Sequence, residues 1–172
     1  MPSPIAHAIV GVTAGWIVDP PAPGEKTRAL AYAAAGMAAD LDLLVGAHSG
    51  PTHGIGAAAM VGIVSWLVAG RARAPRGVVV ASAIAIAYAS HTLLDWLGTD
   101  SSTPIGIMAL WPFSHEYYES PWHVFMAISR RYWLPEFWRF NLLALGRELL
   151  ILIPIAVLVL AVRGRPRTTS AA

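Results

Sequence analysis

The chain has 172 residues, 56% of them apolar and only 13% charged, with a formal charge of +2. A soluble domain normally carries about 25% charged residues, so there are too few here to cover a water-facing surface, and lipid is the expected solvent. Cysteine is absent, which excludes disulfides and thiolate metal ligands, and the small positive charge makes no case for nucleic acid because the arginines cluster near expected helix ends.

The length suits a single domain over 1–162. The first residues, Met1-Pro2-Ser3-Pro4, lack the basic region of a signal peptide, so the N-terminus is expected to be retained. A short apolar helix is expected over Ile5–Val18, ended by Asp19-Pro20-Pro21-Ala22-Pro23-Gly24, a strong helix breaker. An alanine-rich helix follows from about Thr27 to Leu44. The stretch from Gly46 to Gly54 reads as loop. A third helix is expected over about Ile55–Ala69, then a basic interruption at Arg71, Arg73 and Arg76, and a fourth helix over about Gly77–Leu97. No charge occurs from Leu43 to Gly70, from Gly77 to Leu94, or from Leu149 to Val162. A membrane-spanning helix needs about 20 mostly apolar residues. The last stretch reaches that length when Arg147 and Arg163 snorkel at its ends.

From Gly98 to Leu145 the character changes. Most of the seven tryptophans lie after residue 95, and Trp and Tyr favour the membrane–water boundary. This segment reads as an interfacial cap with one or two short amphipathic helices. A last helix is expected over about Gly146–Val162, then a basic, disordered tail over 163–172. The expected fold is all-α: an integral membrane helical bundle of about five helices under an aromatic-rich interfacial cap.

Counting crossings gives an orientation. Lys26, Arg28, Arg71, Arg73, Arg76, Arg163, Arg165 and Arg167 fall on one side, eight of the twelve basic residues. The positive-inside rule makes that side cytoplasmic. His7, Asp40, Asp42, His48, His53, His91 and Asp95 then meet at the opposite, outer end.

His91 and Asp95 are the clearest local pair. Their i,i+4 spacing puts both on one helix face, where an imidazole and a carboxylate can hold one zinc-like ion; a plain His–Asp hydrogen bond is the rival reading. Asp40 and Asp42 lie on different sides of a helix, or on one face of an extended chain; they could also be solvated helix-end acids. His48 and His53 flank Ser49-Gly50-Pro51-Thr52, a loop that can aim both rings inward. His7 alone would pass for an interfacial residue. Ionisable groups in membrane segments are costly and usually functional, and their gathering at one end favours metal. His115, Glu116, Glu119 and His123 could complete a second metal centre, but a wet amphipathic surface is the favoured reading of them.

In order, these features resemble the LexA-regulated membrane-bound metal-dependent hydrolase family. The resemblance rests on His7, on Asp40-Leu41-Asp42, on His48-Ser49-Gly50-Pro51-Thr52-His53, on His91-Thr92-Leu93-Leu94-Asp95 with Thr99, and on Trp111-Pro112-Phe113. It departs from the pattern at Ala39, Ser49 and Gly54, where proline, a basic residue and serine are usual. That family is distantly similar to the zinc-dependent phospholipase C and P1 nuclease group, which implies phosphoester hydrolysis. Two or three zinc ions are then expected among His7, Asp40, Asp42, His53, His91 and Asp95, with His48 as ligand or supporting partner. Manganese or iron suits the same donors. Asp40, Asp95 and His48 are the candidate catalytic residues, with Asp95 bridging two ions. Bound ions would lower the pKa of water towards about 7.

The resemblance together with the boundary position implies a lipid or lipid-linked substrate, or another small molecule, and a bacterial-type inner membrane with the site on its outer side. Membrane lipids are the expected partners. A metal transporter or channel, or a scaffold with a structural metal, are the rival functions; the sequence leaves the oligomeric state open.

Overall fold

The computed structural model describes residues 1–22, 25–46, 48–69 and 75–164. The expected basic residues Arg71 and Arg73, the tail with Arg165 and Arg167, and part of the proline breaker fall outside these. The described residues form five α-helices: α1 (Pro4–Val18), α2 (Thr27–Met37), α3 (Ile55–Ala69), α4 (Arg76–Leu97) and α5 (Phe137–Arg163). No strand occurs among the described residues; two isolated bridges, Gly98 with Phe125 and Ile107 with Tyr118, stitch the segment between α4 and α5.

Three expectations change. The second helix is α-helical only to Met37 and continues as a 3₁₀ turn over Ala38–Val45. It ends at Gly46, whose φ of 75° is the left-handed stop that glycine tolerates best. The short amphipathic helices expected in the cap are absent among the described residues. The last helix starts at Phe137 rather than Gly146, so the mixed-charge stretch before the apolar run is its first turns.

α1 lies at the centre and touches α2, α4 and α5, while α3 packs on α4. Small residues let it do so. A Cβ added to Gly11 would lie 2.5 Å from the Tyr32 carbonyl oxygen and 2.9 Å from the Gly36 Cα. α1 and α2 therefore cross backbone on backbone at Gly11 and Gly36, the close approach that glycine and alanine permit between apolar helices. The rest of the buried core repeats this logic. Tyr32, Ala35, Ala83 and Ala87 form one cluster, and Ala39, Ala57, Ala58 and Tyr88 another. The third, Ala6, Leu94, Phe125 and Leu152, joins α1, α4, the cap and α5.

Only α4 and α5 among the described residues are long and apolar enough to cross a membrane. They differ in environment. Half of the apolar window of α4 is buried, against 11% for α5, so α5 presents Leu150, Ile153, Val157, Leu158 and Val162 outward. Two buried acids tie the bundle at its two ends. Asp19 accepts from Arg28 and from Tyr32 Oη (2.5 Å), and Arg76 lies 3.4 Å away, joining the end of α1 to the starts of α2 and α4. Glu148 on α5, wholly buried, accepts from the backbone N–H (2.7 Å) and hydroxyl of Ser3, the residue that caps α1 through the Ala6 N–H.

Gly11→Leu should therefore destabilise the fold by about 1–3 kcal/mol or more, the usual cost of overpacking. Gly146→Ala, with nothing within 4 Å of the new methyl, should be neutral or slightly stabilising. Thermal unfolding of both variants in detergent checks this; equal melting temperatures would remove the argument for the α1–α2 crossing.

Candidate metal centre

Where the two acids of Asp40-Leu41-Asp42 point depends on the 3₁₀ turn. At about three residues per turn, positions two apart lie about 120° apart around the axis rather than nearly opposite as in an α-helix. Asp40 thus faces α4 while Asp42 faces the histidine loop. That loop is fixed by its own turn, Pro51–His53, with proline at the first position, where its missing N–H costs nothing. The first N–H groups of α3 find acceptors in the cap: Ile55 donates to Ala109 O (3.0 Å) and Gly56 to Trp111 O (2.8 Å). Met108 donates to Ser49 O (2.9 Å). The Trp111-Pro112-Phe113 stretch is thus a brace for the loop that carries His48 and His53.

Asp95 stands at the centre. Its Oδ1 lies 3.3 Å from His7 Nε2, and its Oδ2 lies 3.0 Å from His91 Nε2 and 3.3 Å from His53 Nε2. Asp40 Oδ1 is 3.7 Å from His91 Nε2 and 3.8 Å from His53 Nε2. The side chains of His53, His91 and Asp95 have no exposed surface, whereas that of Asp40 is 23% exposed. His7 and His91 stack with ring centroids 3.8 Å apart. His53 meets His91 edge-on at 4.8 Å.

Short distances here do not amount to hydrogen bonds. Both carboxylate oxygens of Asp95, and the Nε2 atoms of His7, His53 and His91, are buried without a hydrogen-bond partner. Buried polar atoms normally find partners. Orphaned donors gathered around one carboxylate suit bound cations, which accept lone pairs. One ligand atom from each of Asp40, His53, His91 and Asp95 lies within 4.8 Å of the others, so these four could hold a metal ion.

The outer nitrogens of His91 and His53 are secured separately, whereas His7 Nδ1 is buried without a partner. His91 Nδ1 donates to the Gly36 carbonyl oxygen at 2.7 Å, so the residue that lets α1 and α2 touch also aims this imidazole. Tyr88 Oη donates to Thr52 O (2.7 Å), and Thr52 Oγ1 donates to Asp42 Oδ2 (2.7 Å). Asp42 faces His53 Nδ1 at 3.3 Å and His48 Nδ1 at 3.2 Å. A carboxylate behind a ligating histidine fixes its tautomer and raises its basicity. Burial disfavours an imidazolium at His53, but the nearby carboxylates of Asp40, Asp42 and Asp95 outweigh it and push its pKa up to about 9. This corner of the protein demands positive charge.

Asp42, His48 and His53 form a second group that could hold an ion, and it overlaps the first at His53. A neutral imidazole has one lone pair, so His53 serves one group through Nε2 or the other through Nδ1. His48 Nε2 lies 3.3 Å from Arg130 Nη2. The same nitrogen lies 3.0 Å from the Met1 sulfur, so Nε2 stands between a donor and an acceptor while Nδ1 faces Asp42.

All seven candidate residues therefore meet at one end of the bundle. His115, Glu116, Glu119 and His123 do not join them. Glu119 Oε1 accepts from the Asp100 N–H (2.7 Å), 3.7 Å from His123 Nδ1, and His115 and Glu116 are exposed. Thr52, Tyr88, Gly36 and Arg130 were not singled out by motif reading. Thr52 sits inside the histidine loop and was within its reach; the other three carry no local signal.

The model of the YdjM inner membrane protein family matches residues 1–168. The chain belongs to that family. No curated protein and no solved structure matches the chain. The family is one of inner membrane proteins, and the outward apolar face of α5 agrees with lipid contact. The comparisons add no likeness to hydrolases or to phospholipase C.

Asp42→Asn should weaken divalent metal binding about ten- to a hundredfold, the usual effect of losing a partner behind a histidine ligand, while secondary structure by circular dichroism stays unchanged. Competition against a chelating dye measures it, and undiminished affinity would mean that Asp42 does not orient His53.

Proposed function

We propose that this protein is a membrane-embedded, metal-dependent hydrolase acting on phosphoester bonds of a lipid or lipid-linked substrate. The observation that carries the reading is the set of orphaned donors around Asp95. His7, Asp40, His53, His91 and Asp95 are the proposed ligands, with Asp95 facing His7 through one oxygen and His53 and His91 through the other. That division suits a carboxylate bridging two cations. Zinc fits the nitrogen and oxygen donors, as do manganese and iron. Divalent cations supply a water of lowered pKa and neutralise charge on a phosphoryl oxygen.

The protein's own groups then have separate tasks. Asp40 alone among the proposed ligands has exposed surface worth the name, so reactants approach from its side. His48 sits beside the same opening, between Asp42 on its Nδ1 side and Arg130 on its Nε2 side, and is placed to orient what enters there. The buried rings of His7, His53 and His91 keep competing water out.

The bundle ends also have an orientation under this reading. Arg28, Arg76 and Arg163 gather at the end of α1 that carries Asp19; Arg163 Nη2 donates to Ile17 O at 2.7 Å. The positive-inside rule assigns that end to the cytoplasm and the metal end to the outer side. A transport pathway would need polar groups at several depths. The seven candidate residues sit at one depth instead, which favours chemistry at a boundary.

Elemental analysis of purified protein should find stoichiometric divalent metal that is lost in His91→Ala and in Asp95→Ala. The wild type should release phosphate or a phosphorylated headgroup from phospholipid vesicles, and the same variants should not. Metal retained by both variants would sink the assignment; metal flux into proteoliposomes without hydrolysis would favour transport.

A further inference from the structure

Beside the metal centre lies a cavity of about 850 Å³, bordered by Asp40 and His48 on one side and by the segment 126–131 and the start of α5 on the other. Its walls are of two kinds. Leu43, Met126, Ile128, Leu134, Phe137 and Phe140 are apolar; Arg130 and Arg131 bring positive charge. Asp100 and Glu136 also border it. The Asp100 carboxylate is taken up by the Ser102 and Gly106 N–H groups (3.0 and 3.1 Å), and Glu136 lies at the exposed rim.

Arg130 is held in place from both sides. The Ser129 N–H donates to Asn141 Oδ1 (2.8 Å) and Asn141 Nδ2 donates back to Ser129 O (2.9 Å), clamping this strand of backbone to α5. Ile128 N–H donates to Met1 O (3.0 Å). The guanidinium therefore reaches His48 from a fixed backbone. The guanidinium has five N–H donors, so that contact leaves others to face the cavity that Arg130 shares with Asp40.

We propose that Arg130 is the anion-recognising residue of a lipid-binding pocket, and that the ligand is an amphiphile with a phosphate at the head and acyl chains against the apolar wall. The assignment rests on the metal-centre reading for its chemistry but on separate residues for its recognition. Guanidinium is the side chain best matched to phosphate, which it can grip through two parallel hydrogen bonds. The apolar wall has no use for a free phosphate ion; it fits acyl chains, and the outward face of α5 borders their source. Exposed Tyr132, Trp133 and Trp138 flank the mouth in sequence, where such rings favour the level of lipid headgroups.

The test uses the full-length protein in detergent, loaded with zinc. The probe is a phosphonate analogue of dioctanoyl phosphatidate, which cannot be hydrolysed at the replaced bond. It should bind at least about tenfold more tightly than either inorganic phosphate or dioctanoylglycerol. Arg130→Gln should lose about tenfold or more in that affinity, the scale of a charge-assisted hydrogen bond, Arg130→Lys should lose less, and Arg139→Gln, outside the cavity lining, should lose nothing. Unchanged affinity in Arg130→Gln, or inorganic phosphate binding as tightly as the lipid, would overturn the assignment. Metal content of the same samples separates the two readings. Wild type that takes up no zinc overturns the metal centre, and zinc-loaded wild type with no Arg130 effect overturns the lipid subsite alone.

Discussion

Burying a carboxylate without a hydrogen-bond donor is among the most expensive acts a fold can perform. Asp95 is in that position, and so is the arrangement around it: three imidazole nitrogens turned towards its two oxygens without donating to them. Every other feature of this end of the molecule serves to hold those groups in place. Gly36 fixes His91, Asp42 and Thr52 fix His53, and the Glu148–Ser3 clamp fixes the first turn of α1, which carries His7. A bundle stabilised only by apolar contacts would have no reason to concentrate so many polar groups at one end. A cation changes the balance, because it converts the repulsion and desolvation of these groups into ligation.

The two ends of the bundle solve opposite problems. Asp19 is as deeply buried as Asp95, yet it has Arg28, Tyr32 and Arg76 as partners and is satisfied within the chain. Its network is a structural tie between α1, α2 and α4. At the other end no lysine or arginine among the described residues touches Asp95. This contrast separates a buried acid paired within the chain from one faced only by imidazoles, and burial alone would not have told them apart.

Helix existence and the gathering of ligands were legible because both follow from chain direction and hydrophobic run length. An apolar stretch of helical length between breakers, as at Ile55–Ala69, is too long for an ordinary strand, and alternating crossings then decide which polar residues share an end. What escaped is whatever depends on non-local partners. The 3₁₀ turn at Ala38–Val45 has an ordinary helical composition; it tightens where Asp40 must face α4 and Asp42 must face the loop. Phe137–Leu145 looked interfacial because tryptophan and charge interrupt its apolar run, yet it continues a helix whose apolar part is already committed. Glu148 stands beside the Leu149–Val162 apolar run, but its partner at Ser3 lies at the far end of the chain.

The cap between α4 and α5 shows how irregular backbone can be as constraining as a helix. Its carbonyls receive the first N–H groups of α3 at Ala109 and Trp111, its Met108 N–H reaches Ser49, and its far end is clamped to Asn141. Loops near a membrane must satisfy their polar backbone inside the protein when lipid surrounds them. Here that requirement and the needs of the site coincide. The segment that closes the backbone accounting of α3 also sets the height of His48 and His53, and the segment pinned to α5 brings Arg130 to the same opening. The His48–His53 loop and Arg130 thus depend on different ends of one cap. The cavity between them draws its apolar wall from Leu43, from Met126, Ile128 and Leu134 of the cap and from Phe137 and Phe140 at the start of α5, so the helix with the most outward apolar surface also borders the cavity.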